Sequence, residues 1–452
     1  DGSYTYTASA PVVQGTATSG ANPTEENATI KVNFIVTDGD GDTASGSLSV
    51  NVNDDTPVAH SVTASRVLDD EAQTVFTPTN PGTGFLNLGD VSPNYNSVTG
   101  AAGSLFTAGA DGVKSVALAG PAFNVIYKDA QGFAQQESVT WGAGVTDASG
   151  HTTFTATSAH YAGATGAATL VVGVDGSYTL TLFAPVVQGT QLAGIEENKT
   201  LSFGVTVTDG DGDQATATLR VDVNDDTPVP VASIVFASQI MDDEAQTLFT
   251  PVNNGGIGDV SPNVGVVSGG AGALFSMGAD GLGSLSVGLP GFNAIYKADG
   301  FAKVESVDWS NGVRSADGVT TFTATGHVSG NKVGVLVIKA DGSYSFTLSE
   351  PIAQDLQLSS IEDTKTLTFT YTAKDGDGDA AVGSLSVSVN DDVPTAKIVT
   401  ASTVLDDEKQ TVFAGNAGGT GDVADNNVAH GDAGALFSAG ADGVKSVSIS
   451  GG

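Results

Sequence analysis

The same acidic phrases return along this chain at a nearly fixed spacing, and that repetition limits the possible folds more than any other feature. Asp38-Gly39-Asp40-Gly41-Asp42 recurs as Asp209-Gly210-Asp211-Gly212-Asp213, 171 residues on, and as Asp375-Gly376-Asp377-Gly378-Asp379 after a further 166. Asn53-Asp54-Asp55, Asn224-Asp225-Asp226 and Asn390-Asp391-Asp392 keep the same spacing, and each is followed after one residue by Pro57, Pro228 or Pro394. Leu68-Asp69-Asp70-Glu71 returns as Met241-Asp242-Asp243-Glu244 and Leu405-Asp406-Asp407-Glu408. Self-similarity of this kind marks tandem structural units. With Asn-Asp-Asp-x-Pro closing each unit, residues 58–228 and 229–394 are complete copies. Residues 1–57 are then the C-terminal part of one copy and 395–452 the N-terminal part of another, so the chain is expected to be an excerpt of a longer array.

Each copy has a strand periodicity. Ile30, Val32, Phe34 and Val36 alternate with polar neighbours, as do Leu48, Val50 and Val52. The pattern repeats through Leu201, Phe203, Val205 and Val207, then Leu219, Val221 and Val223. It repeats again through Leu367, Phe369 and Tyr371, then Leu385, Val387 and Val389. Each pair predicts a strand, an acidic loop and a returning strand with one buried face. A second hairpin turns at Asp175-Gly176 and Asp341-Gly342, where glycine supplies positive φ. No stretch shows a period of 3.6. One-sided strands must bury that face against another sheet, so the expected fold is all-β: tandem β-sandwich repeats in an elongated array.

Charge sets the environment. With 51 acidic and 16 basic residues the formal net charge is −35, which repels nucleic-acid phosphates and anionic membranes. No apolar run approaches the roughly 20 residues of a membrane span, and the start of the chain carries no signal-peptide pattern. A soluble chain with neither nucleic acid nor membrane insertion is expected. There is no cysteine, so disulfides and thiolate metal sites are excluded, and a large secreted protein would need another staple.

The acidic loops suggest calcium for that role. Asp38, Asp40 and Asp42 continue the parity of Phe34 and Val36, so a straight strand would drive three carboxylates toward the core at high desolvation cost. The intervening glycines let the backbone curl and the carboxylates converge on one cation. The same reading applies to Asp209, Asp211 and Asp213 and to Asp375, Asp377 and Asp379. Three aspartates supply only part of the roughly 6–8 oxygens calcium takes. The remainder is expected from Asn53, Asp54 and Asp55, from Asn224, Asp225 and Asp226, and from Asn390, Asp391 and Asp392. The Leu-Asp-Asp-Glu segments and the pairs Glu25-Glu26, Glu196-Glu197 and Glu362-Asp363 are further contributors. The alternative is a solvated turn, which Asp and Gly also favour. An EF-hand is excluded: Thr43, Gln214 and Ala380 replace its glycine, and Ser49, Arg220 and Ser386 its bidentate glutamate. Asp111, Asp280 and Asp442, in Gly-Ala-Asp-Gly segments, read as turn residues.

Catalysis finds no support. The five histidines do not recur at equivalent places (His151 aligns with Val319), and no nucleophile or zinc motif accompanies them. No catalytic residue and no enzyme activity is expected. Trp141, Trp309 and the repeated tyrosines Tyr4, Tyr178 and Tyr344 read as core or sheet-face aromatics, with sugar stacking as the alternative.

The run from Val36 through the Asp-Gly loop to Asn53-Asp54-Asp55-Thr56-Pro57, with Leu-Asp-Asp-Glu opening the next unit, resembles repeats of giant bacterial adhesins exported by type I secretion, the RTX and biofilm-associated kind. Asp222 through Pro228 also looks like the calcium-binding linker of cadherins. The resemblance implies an extracellular or cell-surface extender of Ig- or cadherin-like sandwiches, stiffened by Ca2+. Its partners would be neighbouring repeats of the same chain and, beyond them, other cells, surface glycans or matrix. An RTX nonapeptide array is absent: Gly255-Gly256-Ile257-Gly258-Asp259 and Gly418-Gly419-Thr420-Gly421-Asp422 are isolated and out of register. Two other classes compete, a glycan- or protein-binding module and a self-assembling surface fibre. A binding module predicts a distinctive cluster in one copy, whereas the copies differ mainly in loop length, as around Pro81–Leu88.

Overall fold

Alternating β-branched and aromatic residues give strands wherever a second sheet covers the apolar face. The computed structural model describes residues 1–13, 18–20, 23–76, 88–189, 195–249, 256–354, 361–409, 419–424 and 426–451. Residues 81–87 of the loop-length difference lie outside the described residues. Two compact units are formed. The first contains Asp1–Val229 together with Ser276–Ser284 and Ala373–Ala381; the second contains Pro230–Phe275, Leu285–Thr372 and Val382–Gly452. Helix among the described residues is confined to short 3-10 turns.

In the first unit the ribbon of strands Asn198–Asp209 and Gln214–Asn224 is the centre of one sheet, flanked by the antiparallel strand Val113–Ala119. The outer edge of Gln214–Asn224 is taken by three short segments, Ser19–Gly20, Val62–Thr63 and Leu68–Asp69, all running parallel to it. The hairpins expected from the sequence imply antiparallel pairing, and at this edge the pairing is parallel instead: the segments are too short to need a hairpin and simply cap exposed N–H and C=O groups. A second sheet orders Thr140–Trp141, Thr152–Thr157, Ala168–Val172, Tyr178–Leu182 and Ser97–Gly100. Phe154, Leu170 and Leu180 from this sheet and Phe203, Val205 and Leu219 from the first share one core. Each such side chain contributes about 1.5–3 kcal/mol by burial.

The second unit repeats the plan. Thr364–Asp375 and Ala380–Asn390 form the ribbon, its loop end at Ala373–Ala381 being counted with the first unit, with Ile234–Phe236 and Met241–Asp242 parallel on its edge. The facing sheet runs through Tyr344–Leu348, Lys332–Lys339 and Val319–Gly326. Phe346 and Phe369 meet across the two sheets with ring centroids 5.0 Å apart.

The ribbon Asn27–Thr37 and Thr43–Asn53 forms in the expected register, Thr37 opposite Thr43. The burial expected of it does not follow. Phe34 and Val36 are 49% and 57% exposed, and among the described residues this ribbon pairs only with itself.

Candidate cation clusters

All three Asp-Gly-Asp-Gly-Asp loops close in the same way. The amide of the first aspartate donates to the carbonyl of the last, at 3.0 Å in Asp38–Asp42, Asp209–Asp213 and Asp375–Asp379. Inside the loop the first carboxylate accepts a local amide: Gly41 N at 3.1 Å on Asp38, Gly212 N at 3.0 Å on Asp209 and Gly378 N at 2.8 Å on Asp375. The fourth residue has φ of 105° at Gly41, 118° at Gly212 and 117° at Gly378, which only glycine adopts without strain. The first aspartate thus builds the turn, and the other two carboxylates are presented on the loop. In the first and second loops the three carboxylates approach within 4.8 Å of one another.

The linker aspartates split into two roles. The last one grips the Gly-Ala-Asp-Gly turn: Ala110 N donates to Asp55 at 2.7 Å, Ala279 N to Asp226, and Ala441 N to Asp392. A Cβ on Gly109, Gly278 or Gly440 would press into that carboxylate, so glycine is required by the close approach. Held in this way, the turn aims its own aspartate at the middle linker residue. Asp54, Asp111 and Asp211 offer ligand atoms within 4.8 Å of each other. Asp111, Asp280 and Asp442 are therefore cluster residues as well as turn residues, and the sequence reading missed the second role. Their recurrence was the available signal, since the turn itself needs only glycine.

A larger cluster lies in the first unit and gathers Asp70, Asp225, Asp280, Asp375 and Asp377, with Asp379 beside Asp225. Asp70 is fixed by Val186 N, which donates to it at 3.0 Å, and Asp377 by Gln188 N at 3.2 Å. Burial, reinforced by Asp377, Asp70 and Asp379, pushes Asp225 up to about 10. Burial, then Asp225 and Asp377, holds Asp280 well above the carboxylate range. Lys199 stands near Asp70 and Asp377 but donates to the Val187 carbonyl at 2.5 Å. Buried oxygens without a hydrogen-bond partner are Asp70 Oδ1, Asp375 Oδ2 and both oxygens of Asp225 and Asp280. An all-oxygen set from separate segments suits calcium, which takes roughly 6–8 oxygens in flexible geometry.

The second unit has a counterpart in Asp243, Asp391 and Asp442. Burial, then Asp442, lifts Asp243 well above its usual range, and burial, then Asp363, pushes Asp391 to about 7.

The asparagines of the linkers are placed differently from the aspartates. Their amides donate to backbone carbonyls, Asn53 to Glu26 at 3.2 Å, Asn224 to Glu197 at 3.1 Å and Asn390 to Asp363 at 3.0 Å. Asn224 Oδ1 also accepts from Val91 N at 3.0 Å. These residues clamp the linker to the start of its ribbon. The acidic pairs serve the clamp through the carbonyl of their second member. Trp141 and Trp309 pack edge-on against Phe203 and Phe369, and their indole N–H groups donate to the carbonyls of Pro121 and Pro290.

No protein-family model matches the sequence, and no curated protein matches it. The class of protein is defined by the facing sheets of each unit: a tandem β-sandwich protein. Solved structures similar to it include cadherin-like extracellular domains. One is mouse clustered PcdhgC3 EC1-3, at 8% identity and a TM-score of 0.23, covering 81% of this chain and 77% of that one. Another is zebrafish RET cadherin-like domains 1 to 4, at 12% identity and 0.19, covering 80% of this chain and 58% of that one. A third is a Bacteroides ovatus mixed-linkage glucan utilization locus protein, SGBP-B, in complex with a mixed-linkage heptasaccharide, at 13% and 0.12, covering 82% and 57%. TM-scores this low carry nothing about function. No helix of the described residues is long and apolar enough to cross a membrane.

Proposed function

We propose that this chain is part of the structural extender of a large extracellular bacterial adhesin, its sandwiches stiffened by calcium, in the service of cell adhesion or biofilm formation. The observation that carries the reading is the buried, partnerless carboxylate pair Asp225 and Asp280 facing Asp70, Asp375 and Asp377 in the first unit. Burying several anions together is very costly unless a cation compensates them. In this reading residues 58–228 and 229–394 are successive copies, with 1–57 and 395–452 parts of others, and each cluster joins the linker closing one copy to the turn and loop of the next. Asp54 and Asp111, with Asp209, Asp211 and Asp213, hold the equivalent cation for the first linker, and Asp243, Asp391 and Asp442 for the third. Export by type I secretion follows the motif resemblance. The packing of Trp141 and Trp309 against core phenylalanines gives them a structural use, which favours an extender over a sugar-stacking module.

The test is a thermal melt of the 452-residue chain in calcium and in chelator. A cation that binds the native state alone stabilises it by about 3 kcal/mol at roughly a hundredfold excess over the dissociation constant. Identical melting curves in the two buffers would overturn the proposal.

A further inference from the structure

Beside the cluster just described, and separated from it by single peptide bonds, a second set of carboxylates converges. Asp69, Glu71 and Asp90 offer ligand atoms within 4.8 Å of one another, and so do Glu71, Glu196 and Asp226. Glu71 belongs to both groups, so the five residues form one continuous set. They come from the Asp-Asp-Glu turn, the Gly89-Asp90 turn, the start of the second ribbon and the linker. Their placement is built, not incidental. The Asp69 side chain caps the 3-10 turn by accepting Glu71 N at 2.8 Å, and Asn94 Nδ2 donates to Glu71 Oε2 at 2.5 Å. Glu196 N donates to the Leu88 carbonyl at 3.0 Å, which brings the segment leading into the ribbon alongside the Gly89-Asp90 turn.

A separate observation points to a ligand. Glu196 is only 6% exposed, and neither of its carboxylate oxygens has a hydrogen-bond partner. Asp69 Oδ2 and Asp226 Oδ1, on residues that are fully buried, are likewise without one. A carboxylate kept from water, without a donor, and facing other carboxylates needs positive charge. The second unit builds the same set from Asp242, Glu244, Asp259 and Glu362. Asn263 Nδ2 donates to Glu244 Oε2 at 2.8 Å, Glu362 N to the Ile257 carbonyl at 2.9 Å, and Glu362 Oε2 has no partner.

We infer that Asp69, Glu71, Asp90, Glu196 and Asp226 form a second calcium site, distinct from the cluster around Asp225 and Asp280, and that the two sites bind as a coupled pair. The inference deepens the calcium reading above and rests on it. Coupling follows from covalent adjacency. Asp69 and Asp70 are consecutive, as are Asp225 and Asp226, and in each pair one residue serves each site. Ordering the backbone at 69–70 and 225–226 for one cation therefore orders it for the other, so the second cation meets a lower entropic cost. The sequence reading assigned Glu196 to the loop cluster and gave Asp90 no role; the structure places both in this second set.

Calcium titration of the 452-residue chain by calorimetry, with far-UV circular dichroism to verify folding, tests the inference. Glu196→Gln keeps the shape of the side chain and removes its charge. It is expected to weaken one binding step at least tenfold and to weaken the Asp225–Asp280 step by a smaller factor. Asp280→Asn is expected to do the converse. Glu362→Gln provides the equivalent measurement in the second unit should Glu196→Gln fail to fold. Binding by Glu196→Gln, or by Glu362→Gln in its place, that is unchanged in stoichiometry and affinity, while Asp280→Asn loses a step, would remove the second site and leave the calcium reading standing. Absence of any calcium binding by the unaltered chain would remove both. Loss of one step in Glu196→Gln with no change in the others would remove the coupling alone.

Discussion

The ribbon at residues 27–53 and the ribbon at residues 198–224 share about half their residues, pair in the same register and turn through the same loop, yet one is bare and the other is core. Phe203, Val205 and Val207 are fully buried, whereas Phe34 and Val36 are half-exposed or more. The loops diverge with the strands. In the first, a side-chain hydrogen bond shared with Asp40, then one from the Asp42 amide, holds Asp38 below its ordinary range. In the second, burial pushes Asp209 up to about 6. Strand pairing and loop closure are local properties carried by the repeat itself. Burial, and with it the electrostatic need for a cation, is supplied by whatever packs around the repeat.

Four experiments would break or sharpen that contrast. The largest effect is expected from truncating the core aromatic: Phe203→Ala should cost about 3–5 kcal/mol, the usual range for a fully buried phenylalanine. Phe34→Ala should change stability by under about 0.5 kcal/mol, as at other exposed sites. Urea unfolding of both variants checks this, and equal losses would mean that the first ribbon is covered in solution.

Next is the sign of a single charge removal. In chelator, Asp225→Asn should raise the melting temperature near neutral pH, because it removes a carboxyl that burial beside Asp377 and Asp70 forces to take up a proton on folding. In calcium it should lower it, through a stability loss of about 1–3 kcal/mol, the cost typical of losing a buried polar partner. A shift of the same sign in both buffers would contradict the cluster's role.

Hydrogen exchange should then separate the ribbons. Amides of 201–207 should be protected close to the global unfolding limit and those of 30–36 should open locally, since few buried contacts hold them. Equal protection along both ribbons would erase the distinction. The smallest expected difference is at the glycines. Gly41→Ala and Gly212→Ala should each cost about 1 kcal/mol through positive-φ strain, because the turn is the same in both loops. A much larger loss at Gly212 would show that the loop backbone, too, depends on its surroundings.

These contrasts show what the sequence could disclose. The alternation at Leu201, Phe203, Val205 and Val207 was enough to place a one-sided strand, because period two is a property of the backbone. The turns at Gly176 and Gly342 were legible because their φ values, 76° and 74°, suit glycine. The exposure of Phe34 was not legible from its own stretch, since the residues that would bury it lie outside that stretch. Asp280 was read as a turn residue, correctly as far as the turn goes. What aims it is the Asp226 carboxylate on Ala279 N, a contact between segments far apart in sequence. Asn224 was grouped with its acidic neighbours by adjacency alone, and only the Glu197 carbonyl and the Val91 amide reveal it as a clamp. Parallel edge pairing by Val62–Thr63 and Leu68–Asp69 escaped notice because two-residue strands carry no periodicity.

The first compact unit draws Ser276–Ser284 and Ala373–Ala381 from beyond Val229, which has a consequence for the gene as much as for the protein. A stop codon after Val229 would keep Asp70 and Asp225 but discard Asp280, Asp375 and Asp377. Recombination between equivalent codons of two copies would delete or add one full period and regenerate each linker with its turn and loop. Crossovers at unlike positions would leave orphaned halves. In the proposed array, a crossover would therefore preserve the clusters only when it exchanges whole periods.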